Sequence, residues 1–125
     1  MDNSTASAKS TRSRLVDCQH AVFTLAGRIG GAIVARGVPG YDLPPETAIL
    51  LDIRVHPSHR GHGFGAALLD SALAWAGGEL VIETQDVNVA ACRFYKKMGG
   101  RPWRVEPDGY GPEIDEAKII WRFGA

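Results

Sequence analysis

The chain has 125 residues, 45% of them apolar and 22% charged, with a mean hydropathy of -0.09. That is the composition of one soluble globular domain, neither disordered nor membrane-spanning. Lys+Arg 14 balance Asp+Glu 14, which argues against a protein built to coat nucleic acid or an anionic membrane. Cys18 and Cys92 are too few and too far apart for a disulfide scaffold or a four-thiolate zinc site, so a reducing cytoplasm is the expected compartment.

From Met1 to Arg14 the chain is small, polar and basic with no hydrophobic period, and residues 1–19 read as a flexible tail ahead of a single domain over 20–125. His20–Ala26 and Ile29–Arg36 read as two strands joined by a tight turn at Gly27-Arg28. Val38–Pro45 carries three prolines and a glycine and reads as a loop; Thr47–Val55 (TAILLDIRV) follows as a third strand, apolar enough for the sheet interior. His56–Gly63 is a Pro/Ser/Gly loop. Leu68, Leu69, Ala72, Leu73 and Ala76 then repeat at helical spacing until Gly77-Gly78 stops them. Glu79–Gln85 reads as a fourth strand. Asn88 caps a second helix with Ala91, Phe94, Tyr95 and Met98 on one face, ended by Gly99. Arg101–Glu106 and Glu116–Phe123 close the sheet. The predicted order is β-β-β-α-β-α-β-β, an α/β fold on a mixed, mainly antiparallel sheet.

Chemistry concentrates between the third strand and the first helix. In Arg60-Gly61-His62-Gly63-Phe64-Gly65-Ala66, three alternating glycines let backbone N–H groups approach a ligand closely. The following helix adds its unpaired donors and positive dipole end, which suits a pyrophosphate, and Arg60 can add a charged contact. Gly61-x-Gly63-x-x-Ala66 also satisfies a dinucleotide fingerprint, with Glu83 near the end of the next strand. Five residues separate Val55 from Gly61, however, and the chain after Glu83 is too short for the second half of such a fold.

The pattern Val55-x-x-x-x-Arg60-x-x-Gly63-x-Gly65 resembles the acetyl-CoA motif of the GNAT N-acetyltransferases, V-x-x-x-x-[QR]-x-x-G-x-[GA]. A second block, Asn88-x-x-Ala91-x-x-x-Tyr95-x-x-x-Gly99, resembles that family's N-x-x-A-x-x-x-Y-x-x-x-G-[FY] segment. Asp52-Ile53-Arg54-Val55-His56-Pro57 and Glu83-Thr84-Gln85-Asp86-Val87-Asn88 are similar to the streptothricin acetyltransferase branch, and the resemblance extends from about Ala21 to Phe123. It implies that the third and fourth strands splay and that acetyl-CoA lies in the gap. Pantetheine would then pair with backbone groups of Ile53 and Val55, and a backbone N–H within Ile53-Arg54-Val55 would polarise the thioester carbonyl. The pyrophosphate would rest on N–H groups of Gly61, His62, Gly63, Phe64, Gly65 and Ala66.

The resemblance also implies roles. Tyr95 would be the general acid toward the departing thiolate, against the plainer role of a core tyrosine. Asn88 would touch the cofactor while capping its helix. Asp52 would accept the amine's proton or simply pair with Arg54, and Glu83 stands in reserve as the other carboxylate on a splayed strand. His56, His59 and His62 recur every third residue, and three imidazoles can hold zinc; a loop that must keep its donors free for phosphate argues against it, and no metal is expected. Cys92 reads as packing, Lys96 and Lys97 as a solvated helix end. Glu106, Asp108, Glu113, Asp115 and Glu116 form an acidic stretch that would draw a cationic amine, or that is a solvated turn.

Two departures from the family pattern stand out. By the resemblance, the strand and two helices that wall the family's acceptor pocket are expected to be missing ahead of His20, where fewer than 20 residues stand, and Gly100 takes the place of the usual Phe or Tyr. The expectation is an acetyl-CoA-dependent N-acetyltransferase acting on a primary amine, such as a small cationic amine or an aminoglycoside- or streptothricin-like antibiotic. Uncovered apolar surface predicts a homodimer. The alternative is a non-catalytic acyl-CoA-binding module.

Overall fold

The computed structural model describes residues 9–11, 19–25 and 28–124. In chain order the elements are β1 (Lys9–Thr11), β2 (Gln19–Thr24), β3 (Gly30–Arg36), β4 (Ile49–Val55), α1 (Phe64–Trp75), β5 (Leu80–Gln85), α2 (Val89–Lys97), β6 (Arg101–Glu106) and β7 (Lys118–Phe123). One mixed sheet runs β1-β2-β3-β4-β5-β7-β6. Only β4 and β5 pair in parallel; the other neighbours are antiparallel. From β2 onward the order is the predicted one.

Among the described residues two elements were not expected: a short 3₁₀ turn at Pro57–His59 within the predicted loop, and β1. Lys9–Thr11 fall in the stretch read as a flexible tail, yet they pair with Thr24, Phe23 and Val22. Ladder hydrogen bonds are made by the main chain, so a three-residue edge strand needs no hydrophobic period to announce it. The rest of that stretch, residues 1–8 and 12–18, lies outside the described residues, as do Ala26 and Gly27 of the predicted hairpin.

Both helices end where glycine allows it. In α1 the Gly78 N–H reaches Leu73 O (2.8 Å) and the Gly77 N–H reaches Ala74 O (3.2 Å), with Gly77 at φ 79. In α2 Gly100 and Gly99 bond Tyr95 O and Lys96 O in the same way, with Gly99 at φ 96. A residue with a Cβ is strained in that left-handed conformation. Asn88 caps α2 by accepting the Ala91 N–H through its side chain (3.2 Å).

The helices pack on one face of the sheet. Leu68, Leu69 and Ala72 of α1 and Tyr95 of α2 join Val34, Leu50, Leu80, Ile82, Trp121 and Phe123 in the main core. Leu68 and Leu69 are fully buried, a placement that stabilises each by about 1.5–3 kcal/mol over an exposed leucine. The opposite face carries a smaller cluster of Ile49, Val81 and Ile120, covered by Val38, Tyr41 and Leu43 of the β3–β4 loop. Arg104 tethers that loop by donating to Asp42 O (3.3 Å).

Candidate functional site

The parallel pairing of β4 with β5 lasts for two residue pairs, Ile49↔Val81 and Leu50↔Ile82. Beyond Leu50 the strands part, while β4 stays paired with β3 out to Gly30↔Val55. The edge of Asp52–Val55 that faces β5 is thus left without a strand partner, the arrangement that accepts an extended chain as an added strand. Opposite β3 the register jumps from Val34↔Leu50 to Ile33↔Asp52, so Leu51 is an extra, bulged residue. A bulge bends its strand and re-aims the side chains after it. Leu50 and Ile53, three apart, consequently both pack toward the helices. Asp52 and Arg54 are left facing the other way.

On the helix side of the splay lies a cleft of about 1050 Å³. Its walls are the end of β4, the glycine loop, the core-facing side of α2 and the β2–β3 turn. Ile53, Arg54, Val55, Arg60, Gly61 and Gly63 line it, as do Phe64, Gly65, Ala66, Asn88 and Tyr95. Apart from Tyr95, expected as the general acid, these are the residues expected to bind the cofactor; the remaining one, His62, has its ring near Phe64 (6.2 Å between centroids) and does not line the cleft. Residues 28–31 line it too, and were not anticipated. A Cβ at Gly30 would collide with Arg54 O, so the Gly30-Gly31 pair, legible as a close approach of two backbones, was the signal available.

The glycine loop has the geometry its sequence asks for. Gly61 and Gly63 hold φ 82 and φ 81, and a Cβ at either would meet nothing within 4 Å. Their backbone therefore faces open space. Gly63 caps α1 with no side-chain hydrogen bond, and no acidic residue occupies the first turn. The first intrahelical bond is Ala67 N–H to Gly63 O (3.0 Å), which leaves the N–H groups of Phe64, Gly65 and Ala66 without intrahelical partners at the positive end of the helix. Gly65 has a different task. A Cβ there would press on the Phe94 ring at 3.2 Å, so its glycine lets α1 and α2 approach. Arg60 donates through Nε to Val55 O (3.4 Å), which ties the loop to the end of β4.

A second cavity, about 150 Å³, fills the splay itself and is lined by Asp52, Glu83, Thr84, Asn88 and Tyr95 among others. Tyr95 and Asn88 line both spaces. The Tyr95 ring is fixed by Phe94, Trp121 and Phe123, with centroids 5.5, 6.3 and 6.1 Å away. Burial pushes its phenol up to about 12, with Asp52 and then Cys92 adding to the shift. It remains a protonated donor at any physiological pH. Asp52 pairs with Arg54 Nε (3.0 Å), the plainer of its two expected contacts; Arg54 is mostly exposed, so the pair contributes little to stability.

Glu83 accepts a hydrogen bond from Tyr110 Oη (2.8 Å). Tyr110 is pushed far above the usual phenol range by burial first, then by that bond and by the charges of Glu83 and Glu116. Tyr41 is raised by burial and then by Glu83. Neither tyrosine was singled out from the sequence, since each sits in a loop without periodicity. Among the described residues no three His, Cys, Asp or Glu side chains converge to hold a metal ion. Ser58 instead bridges His56 Nδ1 (2.7 Å) and His59 Nδ1 (2.9 Å). Cys92 lies over Thr84 Oγ1 at 3.7 Å. Gly100 is required as it stands, because a Cβ there would come within 2.6 Å of the Phe123 ring, which fills the space next to it.

The profile of the Acetyltransferase (GNAT) family matches residues 5–100. The chain belongs to the GNAT acetyltransferase family. Streptothricin acetyltransferase A of Bacillus subtilis is 37% identical over 82 residues, covering 61% of this chain and 47% of that protein. The chain thus spans about half the length of the curated relative it matches. A crystal structure of a Bacillus anthracis protein described as a streptothricin acetyltransferase, in complex with acetyl coenzyme A, superposes with a TM-score of 0.72 at 27% identity, over 90% of this chain and 65% of that one. A GNAT-family protein from Desulfovibrio desulfuricans shares the fold at a TM-score of 0.68 and 24% identity, over 86% and 68%. The mixed α/β architecture is therefore that of the GNAT acyltransferases. No helix among the described residues is long and apolar enough to cross a membrane.

Proposed function

We propose that this GNAT chain binds acetyl-CoA in the 1050 Å³ cleft and transfers the acetyl group to a primary amine. The observation that carries the reading is the early end of the β4–β5 pairing, with Tyr95 at the junction of cleft and gap. A slot beside unpaired strand backbone suits the two amides of pantetheine, and the glycine loop with the start of α1 suits a pyrophosphate. Arg60 and Lys97, both on the cleft wall, add positive charge for the phosphates. The crystallised Bacillus anthracis relative, which holds acetyl coenzyme A, supports this assignment.

In this reading the backbone N–H groups along Ile53–Val55 orient the thioester and favour negative charge on its carbonyl oxygen. The amine enters through the gap and forms a bond to the acyl carbon as the C–S bond breaks. Asp52, on the far side of β4, takes the proton the nitrogen must lose. Tyr95 Oη holds a hydrogen bond on the departing sulfur. The amine becomes an amide, and the proton taken up by Asp52 passes through solvent to the thiolate, so CoA leaves as its thiol and protons and electron pairs balance. A sequence with two cysteines fits a cytoplasmic setting.

Calorimetric titration with acetyl-CoA, with NADH as control, tests the binding step. Micromolar affinity for acetyl-CoA alone is expected, followed by amine-dependent thiol release. No heat with acetyl-CoA, or a preference for NADH, removes the proposal; binding without thiol release from any primary amine leaves an acyl-CoA-binding module instead.

A further inference from the structure

Glu83, expected as the reserve carboxylate, lines the gap and has no part in the proposed transfer. On β5 the residues Leu80 and Ile82 face the helices, and Val81 faces the small cluster on the other side. Strand alternation puts Glu83 on that second side. The bulge at Leu51 puts Asp52 there as well. Both carboxylates therefore open onto the helix-free face from opposite walls of one 150 Å³ space. Asp52 has a guanidinium partner. Glu83 has none among the ion pairs of the described residues; its neighbours are phenols.

Those phenols come from two separate loops. Tyr110, between β6 and β7, donates to Glu83 Oε2, and Tyr41 comes from the β3–β4 loop. Neutral donors fix the direction of a carboxylate without cancelling its charge. The space is wide enough to admit an alkyl arm. Aromatic faces beside it tolerate a cation, and Lys118 Nζ already stands 5.4 Å from the Tyr110 centroid.

We infer that Glu83, positioned by Tyr110 and Tyr41, is a specificity-determining anchor for a second cationic group on the acceptor, so that the preferred acceptor is a diammonium compound. This rests on the amine-acceptor reading above. The reacting amine lies toward Asp52 and Tyr95 while the other ammonium contacts Glu83. Tyr110 acts only through Glu83 and is a positioning residue.

The test compares 1,5-diaminopentane with 1-aminopentane, two probes with the same five-carbon chain that differ by one terminal ammonium. Equilibrium binding to the intact chain is measured with and without CoA, and acetyl transfer is measured in parallel. The diamine is expected to bind at least tenfold tighter and to show the same advantage in KM, with kcat within threefold. Glu83→Gln should abolish the advantage and leave acetyl-CoA affinity unchanged. Tyr110→Phe should reduce the advantage about three- to tenfold through KM, whereas a merely structural tyrosine would lower both amines' kcat or the melting temperature. Equal binding of the two amines to the wild-type chain overturns the inference, as does a preference that survives Glu83→Gln. Because amine binding is also read without cofactor, a failure to bind acetyl-CoA defeats the proposed function and is told apart from a failure of the anchor.

Discussion

Replacing Tyr95 with Phe isolates one atom of the proposed site. The ring contacts with Phe94, Trp121 and Phe123 persist, so the substitution removes the phenol oxygen and leaves the ring packing in place. The phenol sits at about 12 and a free thiol at about 8.5. Full proton transfer from Tyr95 to thiolate is thus uphill by several units, each about 1.4 kcal/mol. Tyr95 therefore helps as a hydrogen-bond donor to charge growing on sulfur. Hydrogen bonds to charged groups contribute about 1.5–3 kcal/mol, which converts to about 10- to 150-fold in rate. Tyr95→Phe should lower kcat for thiol release by that factor and leave the calorimetric affinity for acetyl-CoA within about twofold. A loss below threefold refutes the donor role, and a loss beyond about 10⁴ refutes the reasoning from leaving-group acidity. The same shift fixes a stability signature. An unfolded tyrosine ionises near 10, before the folded Tyr95 does, so the unfolded state loses its proton first as pH rises. Stability from this group is intact below about pH 10 and falls through about pH 12, by up to about 3 kcal/mol. Tyr95→Phe should flatten that part of the alkaline unfolding curve.

Gly63→Ala places a Cβ in open space but at φ 81; the left-handed strain of about 1–2 kcal/mol should appear as lower thermal stability and weaker acetyl-CoA binding, measured by melting and calorimetry. Gly100→Ala drives a Cβ to 2.6 Å from Phe123 and should cost about 1–3 kcal/mol in denaturant unfolding, with a repacked Tyr95 lowering kcat as well. Trp103 and Val105 of β6 are 43% and 56% exposed, and we expect this apolar surface to be covered in a homodimer; a monomeric sedimentation profile at micromolar concentration would defeat that expectation.

Much of the fold is legible in the residues because short-range physics dictates it. Gly77-Gly78 and Gly99-Gly100 mark the helix ends, Asn88 marks a start, and the spacing of Ala91, Phe94, Tyr95 and Met98 gives the buried stripe of α2. The glycine loop is legible for the same reason, since φ values near 80 at Gly61 and Gly63 are a property of those residues. What the residues conceal is long-range. Lys9–Thr11 join the sheet through backbone alone. Tyr110 meets Glu83 across 27 positions of sequence, and nothing local in the Pro/Gly-rich loop around Tyr110 announces it.

The bulge at Leu51 is the concealed feature with the largest consequence. In an unbroken strand, residues an even number apart share a face, so a reading of Leu50, Asp52 and Arg54 in sequence puts all three together. The run Ile49-Leu50-Leu51 hides the interruption, because three apolar residues satisfy either parity. The only trace is that Ile53 and Val55 pack with Leu50, at odd spacings of three and five. With the parity reversed, one strand serves two spaces. Ile53 and Val55 wall the cleft on the helix side, while Asp52 turns to the face that Glu83 shares. Without the reversal Asp52 would enter the apolar core at the cost of an uncompensated charge, and Ile53 would face the loops. The extra residue thus places the proposed cofactor slot and the proposed amine entrance on opposite sides of the sheet, and the opening between β4 and β5 is where they meet at Tyr95.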